Sequence, residues 1–162
     1  MSEQNRSYEE MLRAERQRLS RVHMRNQVAL LAALRERLGD EVLSVAEQHT
    51  GAAARQGWSR LAARHGSNSI ADLVKLLWEP LTAQGLEYTS EESDGGLKMT
   101  CTKCPLHELA KEIGHAEIVY ALTCGTDPYM VEGFNAKMGF RRTKTLMQGH
   151  DCCDHFYYMK EE

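Results

Sequence analysis

Cysteines are the groups in this 162-residue chain best suited to chemistry, and all five lie from residue 101 onward. A thiol can be a nucleophile, a metal ligand or a small core residue, and its surroundings decide which. Cys101-Thr102-Lys103-Cys104-Pro105 is a lone CxxC. Zinc reads most strongly from two such pairs, and a thioredoxin-like redox pair needs a βαβ setting; neither is present. Cys104 does stand just before an expected helix, whose N-terminal dipole lowers a thiol pKa. In Cys124-Gly125-Thr126-Asp127-Pro128 one helix ends at the cysteine and the next begins at the aspartate. That turn can set a nucleophilic thiol and a proton-carrying carboxylate at the mouth of a pocket. In the plainer alternative Asp127 is only an N-cap and Cys124 only a buried apolar residue.

Gly149-His150-Asp151-Cys152-Cys153-Asp154-His155 crowds polar and reactive groups around a turn. Strand alternation puts Cys153, His155 and Tyr157 on one face, and Cys152, Asp154 and Phe156 on the other. His150 and Asp151 are also residues that simply shape a turn.

The elements that must hold these groups fall into two regions. Residues 8–38 contain no Pro or Gly and are rich in helix formers. Leu12, Leu19, Val22, Leu30, Leu34 and Leu38 keep roughly one face of that helix apolar. Its first half, up to about Arg25, is highly charged and suited to projecting or docking on a partner subunit, so a homodimer is an expectation. Gly39-Asp40 is a stop followed by a cap. A second helix runs from about Glu41 to Arg64, and Gly51 and Gly57 either allow close packing or break it at Thr50-Gly51. Ser67-Asn68-Ser69 caps a third, carrying Leu73, Leu76, Leu77 and Trp78, which Pro80 should kink or shorten before Gly85.

The pattern then changes. Leu86–Ser93 and Leu97–Lys103 flank Asp94-Gly95-Gly96, a hairpin signal. Leu97, Met99 and Cys101 share one face of the second strand. Short helices are expected over 106–113, 115–124 and 127–137, closed by Gly114, Gly125 and Gly139. Phe140–Gln148 and Cys152–Lys160 read as two more strands. The expected fold is α+β: N-terminal helices, then a four-stranded antiparallel sheet with short helices, the helices packed on one sheet face. One domain spans 1–162, helical over residues 1–85 and carrying the sheet and the candidate site over residues 86–162.

Composition excludes several classes. Net charge is −3 and 42% of residues are hydrophobic, so no charge excess points to nucleic acid or a membrane surface. The longest uncharged apolar run, Val28–Leu34, is far short of a membrane span. The start, MSEQNRSYEEMLR, lacks a signal-peptide core. The expectation is a cytoplasmic protein whose odd number of thiols stays reduced.

From Cys104 onward the chain resembles the L-2-amino-thiazoline-4-carboxylate hydrolase family. The matching pieces are Cys104-Pro105-Leu106, Cys124 with Asp127, Phe140-Arg141-Arg142-Thr143-Lys144-Thr145-Leu146, and the 149–155 segment. The terminal strand with its Gly-x-x-x-Cys also looks like small-molecule-binding domains related to vinyl reductases. At position 150 the family usually has Asp, where this chain has His. The resemblance implies hydrolytic opening of a cyclic isothiourea. On that reading Cys124, or a metal-bound water, is the nucleophile, Asp127 holds the amidine or shuttles a proton, Arg142 or Lys144 pairs with the substrate carboxylate, and His150 is a further substrate-binding residue. Two alternatives stand beside it. In one, Cys104, Cys124 and Cys153 ligate zinc or iron; in the other, the domain binds a small molecule without converting it. The hydrolase and metal readings require those three thiols to converge.

Overall fold

The computed structural model describes residues 3–93 and 95–161, with side chains from residue 8. Asp94, the first residue of the expected hairpin turn, lies outside the described residues. Two long helices, α1 (Glu3–Leu38) and α2 (Glu41–His65), form an antiparallel pair. Gly39 turns the chain between them at φ +83°, a backbone region that only glycine enters without strain. Thr50 and Gly51 do not break α2. Gly51 is buried where the Tyr129 ring crosses the helix, so the missing side chain is what permits that approach.

Ser69 caps the next helix reciprocally with Asp72, as the sequence predicts. The hydroxyls of Ser67 and Ser69 hold the Asp72 carboxyl well below the usual carboxylate range. From α3 (Ile70–Leu73) the chain continues through a π-helical turn (Val74–Trp78) into α4 (Glu79–Thr82). The widened turn comes just before Pro80, which has no N–H to give the preceding turn. The helix is therefore reshaped at Pro80 rather than ended.

Four strands follow: β1 (Glu87–Ser93), β2 (Gly96–Lys103), β3 (Met138–Arg141) and β4 (Cys153–Met159). They form one antiparallel sheet in the order β1-β2-β4-β3. Between β2 and β3 lie α5 (Pro105–Ile113), α6 (Ala116–Leu122) and α7 (Asp127–Phe134). The expected strand over 140–148 is mostly not a strand. After Arg141 the Asp154 carboxylate accepts the backbone N–H groups of Thr143 (2.9 Å) and Lys144 (2.5 Å), which takes them out of any ladder. Thr145 then caps a 3₁₀ turn over Leu146–Gln148.

The alternation read from sequence holds: Cys153, His155 and Tyr157 of β4 are buried, as are Met99 and Cys101 of β2. This inner face packs on Leu73, Trp78 and the Met130, Val131 and Phe134 side of α7. Val28, Ala110, Ile118, Val119 and Met147 form a second apolar cluster beneath α1. The opposite sheet face carries Phe156 stacked on Tyr158, with Arg141 over the Tyr158 ring.

Helix α7, whose first residue belongs to the site, lies directly on α2. A methyl group at position 133 would collide with the backbone of Arg55 in α2, which cannot swing aside as a side chain can. Gly133→Ala is expected to destabilise the protein by about 1–3 kcal/mol through overpacking, despite its better helix propensity. Urea unfolding measures this, and a stabilised variant would show that the two helices are not in tight contact.

Candidate functional site

A tight turn presents the first two site residues. Helix α6 stops at Leu122, and Cys124–Thr126 form one 3₁₀ turn before α7 starts at Asp127. The Thr123 hydroxyl donates to the Val119 carbonyl at 2.6 Å, and that of Thr126 to the Thr123 carbonyl at 2.6 Å. Gly125 is buried against the Glu47 side chain, which a Cβ there would push aside. Thr126, not Asp127 as the N-cap alternative had it, occupies the N-cap position; Asp127 is the first residue of α7, and its carboxylate has other partners.

Those partners come from the sheet. Arg142, just past β3, donates from Nη1 to Asp127 Oδ2. Its Nη2 donates to the Tyr120 hydroxyl (3.1 Å) and to the Cys124 carbonyl (3.1 Å). The guanidinium lies over the rings of Tyr120 and Phe140. Its side chain is 8% exposed and that of Asp127 21%, so this is a largely desolvated ion pair. The resemblance assigns Arg142 to a substrate carboxylate; here three of its five N–H donors go to groups of the protein, which makes it the residue that fixes Asp127.

His155 reaches the same carboxylate from β4, with Nε2 3.4 Å from Asp127 Oδ2. Trp78 meets the imidazole edge-on at 5.0 Å, and Phe140 and Tyr157 flank it. Tyr157 is itself held by the Trp78 indole N–H at 3.2 Å. His155 Nδ1 is buried with no hydrogen-bond partner among the described residues. A buried polar atom left without a partner costs about 1–3 kcal/mol.

The thiols differ sharply. Burial, and then the Asp127 charge, push the Cys124 thiol up to about 12, so it is protonated at neutral pH. Cys104 is drawn down to about 7, by a hydrogen bond from Cys101 and by the backbone N–H groups of His107 and Leu106 at the start of α5. Cys101 pairs with Cys153 across β2 and β4. Cys153 is lowered by the Cys101 thiol and by the Leu146 N–H, 3.3 Å from its sulfur. Cys101 has one proton for three acceptors: the sulfurs of Cys104 and Cys153 and the Lys103 carbonyl at 3.3 Å. It cannot favour both neighbouring thiolates at once, and Cys104 has the helix terminus in addition.

The three thiols of the matched motifs do share one neighbourhood. Cys104 acts electrostatically on both Cys124 and Cys153, and Asp127 on both Cys104 and Cys124. Among the described residues, no three His, Cys, Asp or Glu side chains form a group that could hold a metal ion. Lys144 and His150 are exposed in the β3–β4 connection. Lys144 pairs with Asp151 at 3.2 Å, and His150 Nδ1 lies 3.3 Å from the Thr145 amide nitrogen. His150 therefore shapes its turn. Sequence reasoning did not assign Trp78, Tyr120 or His155. Tyr120 stands one helical turn before Cys124, and His155 two residues along the strand face from Cys153, which were the available signals.

No curated protein matches the sequence. Two solved structures share the fold. The phenol-responsive sensory domain of the transcription activator PoxR, solved with phenol, aligns with TM-score 0.55 at 14% identity over 83% of this chain and 73% of that one. A trafficking protein particle complex subunit 3 from Naegleria fowleri, covalently bound to palmitic acid, aligns with TM-score 0.50 at 11% identity, over 86% and 96%. Among the described residues, no helix is long and apolar enough to cross a membrane. The sequence itself matches a family model over residues 17–157, well beyond the C-terminal stretch in which the resemblance was legible. Because that match takes in most of the helical region and every site residue described above, the chain belongs to the L-2-amino-thiazoline-4-carboxylic acid hydrolase family.

Proposed function

We propose that this protein is a hydrolase that opens the ring of a small cyclic isothiourea, such as 2-amino-thiazoline-4-carboxylate. The geometry that carries the reading is the Cys104 thiol at the start of α5, drawn down by the Cys101 thiol and the backbone N–H groups there, in the field of the half-buried Asp127 carboxylate that Arg142 and His155 hold. The electrophile of such a ring is the carbon between nitrogen and sulfur. The Cys104 thiolate adds to that carbon, and the ring C–S bond breaks, freeing the substrate's own sulfur as a thiolate that takes up a proton. Water then adds to the enzyme-bound carbon and expels Cys104, leaving a urea on the substrate nitrogen. Asp127 receives the N–H groups of the amidine on its second oxygen, since Arg142 and His155 both engage Oδ2. His155, packed between Trp78 and Phe140, holds the Asp127 carboxylate from the sheet side. Cys124, protonated and half-buried, serves as packing and as a weak donor beside Asp127.

Ring opening releases one thiol per turnover, which a colorimetric thiol reagent reads directly. Incubation with 2-amino-thiazoline-4-carboxylate is expected to release thiol catalytically. Binding of the compound without release would favour a second reading, a non-converting small-molecule sensor. That reading has its own support in the aromatic walls around the unpartnered imidazole, and in the fold shared with a phenol-responsive domain.

A further inference from the structure

Ring opening leaves one thiol of the cluster without a task. Cys101 is buried near the end of β2, directly opposite Cys153 of β4. Beyond it the chain curls round its sulfur: the Lys103 carbonyl lies 3.3 Å from Cys101 Sγ, and Cys104 then leaves the strand to precede α5. The curl brings Cys104 against the same apolar cluster that holds Cys101 and Cys153. There the Cys101 thiol is hydrogen bonded to the Cys104 sulfur. Cys124 and Cys153 reach Cys104 only through their fields. The two partners also differ in access. Cys104 is half-buried and Cys101 is buried, so a reagent from solvent meets Cys104 first and finds a second thiol touching it.

We infer that Cys104 is a site of oxidative modification by hydroperoxides, and that Cys101 is the thiol that closes it into a disulfide. The Cys104 thiolate attacks one peroxide oxygen and the O–O bond breaks. This leaves Cys104 as a sulfenic acid, while the other oxygen departs as an alkoxide or hydroxide and takes up a proton. The Cys101 sulfur then attacks the Cys104 sulfur. The S–O bond breaks, the hydroxyl leaves with the Cys101 proton as water, and the S–S bond forms. Two thiols are oxidised and one peroxide is reduced. Because the sulfurs already touch, closing them to about 2 Å is a matter of rotating two side chains. The backbone N–H groups of Leu106 and His107 favour the thiolate that begins the sequence. A resolving thiol in contact also intercepts the sulfenic acid before a second peroxide carries it to the irreversible sulfinic acid. The inference goes beyond ring opening and does not depend on it, since no substrate takes part.

The test is hydrogen peroxide added to the reduced full chain at neutral pH, followed by intact mass, thiol titration and peptide mapping with the remaining thiols blocked. The wild type is expected to lose two of its five thiols and to become about 2 Da lighter, with both thiols restored by dithiothreitol. Trypsin cuts after Lys98, Lys103 and Lys111, so the bond should join peptide 99–103 to peptide 104–111. Cys101→Ser is expected to lose that link and to accumulate Cys104 as sulfinic acid, about 32 Da heavier and not restored by dithiothreitol. The wild-type map decides by itself if the variant does not fold. Five thiols left intact overturn the inference, as does sulfinic acid at Cys104 without a link. A link from peptide 99–103 to peptide 145–160 overturns it too, because Cys101 would then have paired with Cys153 across the sheet.

Discussion

Arg142→Met is expected to destabilise the fold by about 3–5 kcal/mol, the largest single-residue effect on stability that the structure supports. The side chain is almost fully buried, and its loss strands three groups at once: the Asp127 carboxylate, the Tyr120 hydroxyl and the Cys124 carbonyl. Most of the penalty is the uncompensated carboxylate, because an unpaired charge in a desolvated site costs more than the pair itself contributes. The double variant Arg142→Met with Asp127→Leu should therefore recover much of the loss. In a domain of this size the single variant corresponds to a fall in melting temperature of roughly 6–20 °C. Chemical denaturation of the wild type, both single variants and the double measures the coupling directly. A loss below about 1 kcal/mol would be the behaviour of an exposed ion pair, and would mean that Asp127 is not held as described.

Cys104→Ser is expected to lower thiol release from a 2-amino-thiazoline by roughly 10³-fold or more, the scale on which enzymes lose turnover with their nucleophile. A serine hydroxyl in this position does not ionise near neutrality, whatever the helix terminus contributes. The pH dependence follows from the same placement. The thiolate is the reactive form, so turnover should rise with pH through about 7 and fall away below it. Iodoacetamide at neutral pH should accordingly modify Cys104 before Cys124, whose thiol stays protonated up to about 12. Cys124→Ser is the discriminating control and should reduce turnover less. If it abolishes turnover while Cys104→Ser leaves it near normal, the nucleophile is Cys124 and the assignment of the two thiols is reversed.

Much of the site could be read from the chain because it rests on local signals. Asp127-Pro128 announces a helix start, and period-two alternation places Cys153, His155 and Tyr157 inward. The loss of strand after Arg141 was not legible, because it depends on Asp154, a residue 13 positions away from Arg141 in sequence, capturing backbone N–H groups that would otherwise extend the ladder. The same limit explains Arg142. Nothing in its neighbours along the chain shows that Tyr120, Cys124 and Asp127 will surround it, so it reads as a cation on a solvated strand. The thiols show the reverse difficulty. Their grouping was visible, but the contrast between Cys104 and Cys124 arises from burial and hydrogen bonding that exist only once β2, β4 and α5 are assembled.

Strand order has a consequence for how the molecule comes into being. β4 lies between β2 and β3, yet it is the last of the four to be made. Until residues 153–159 have left the ribosome, β2 and β3 each present an unsatisfied inner edge, open to pairing with another chain. His155 and Cys153 arrive on that same strand, so the reactive cluster is completed by the event that closes the sheet. A nascent chain thus has no assembled thiol site to misuse while its edges are still exposed.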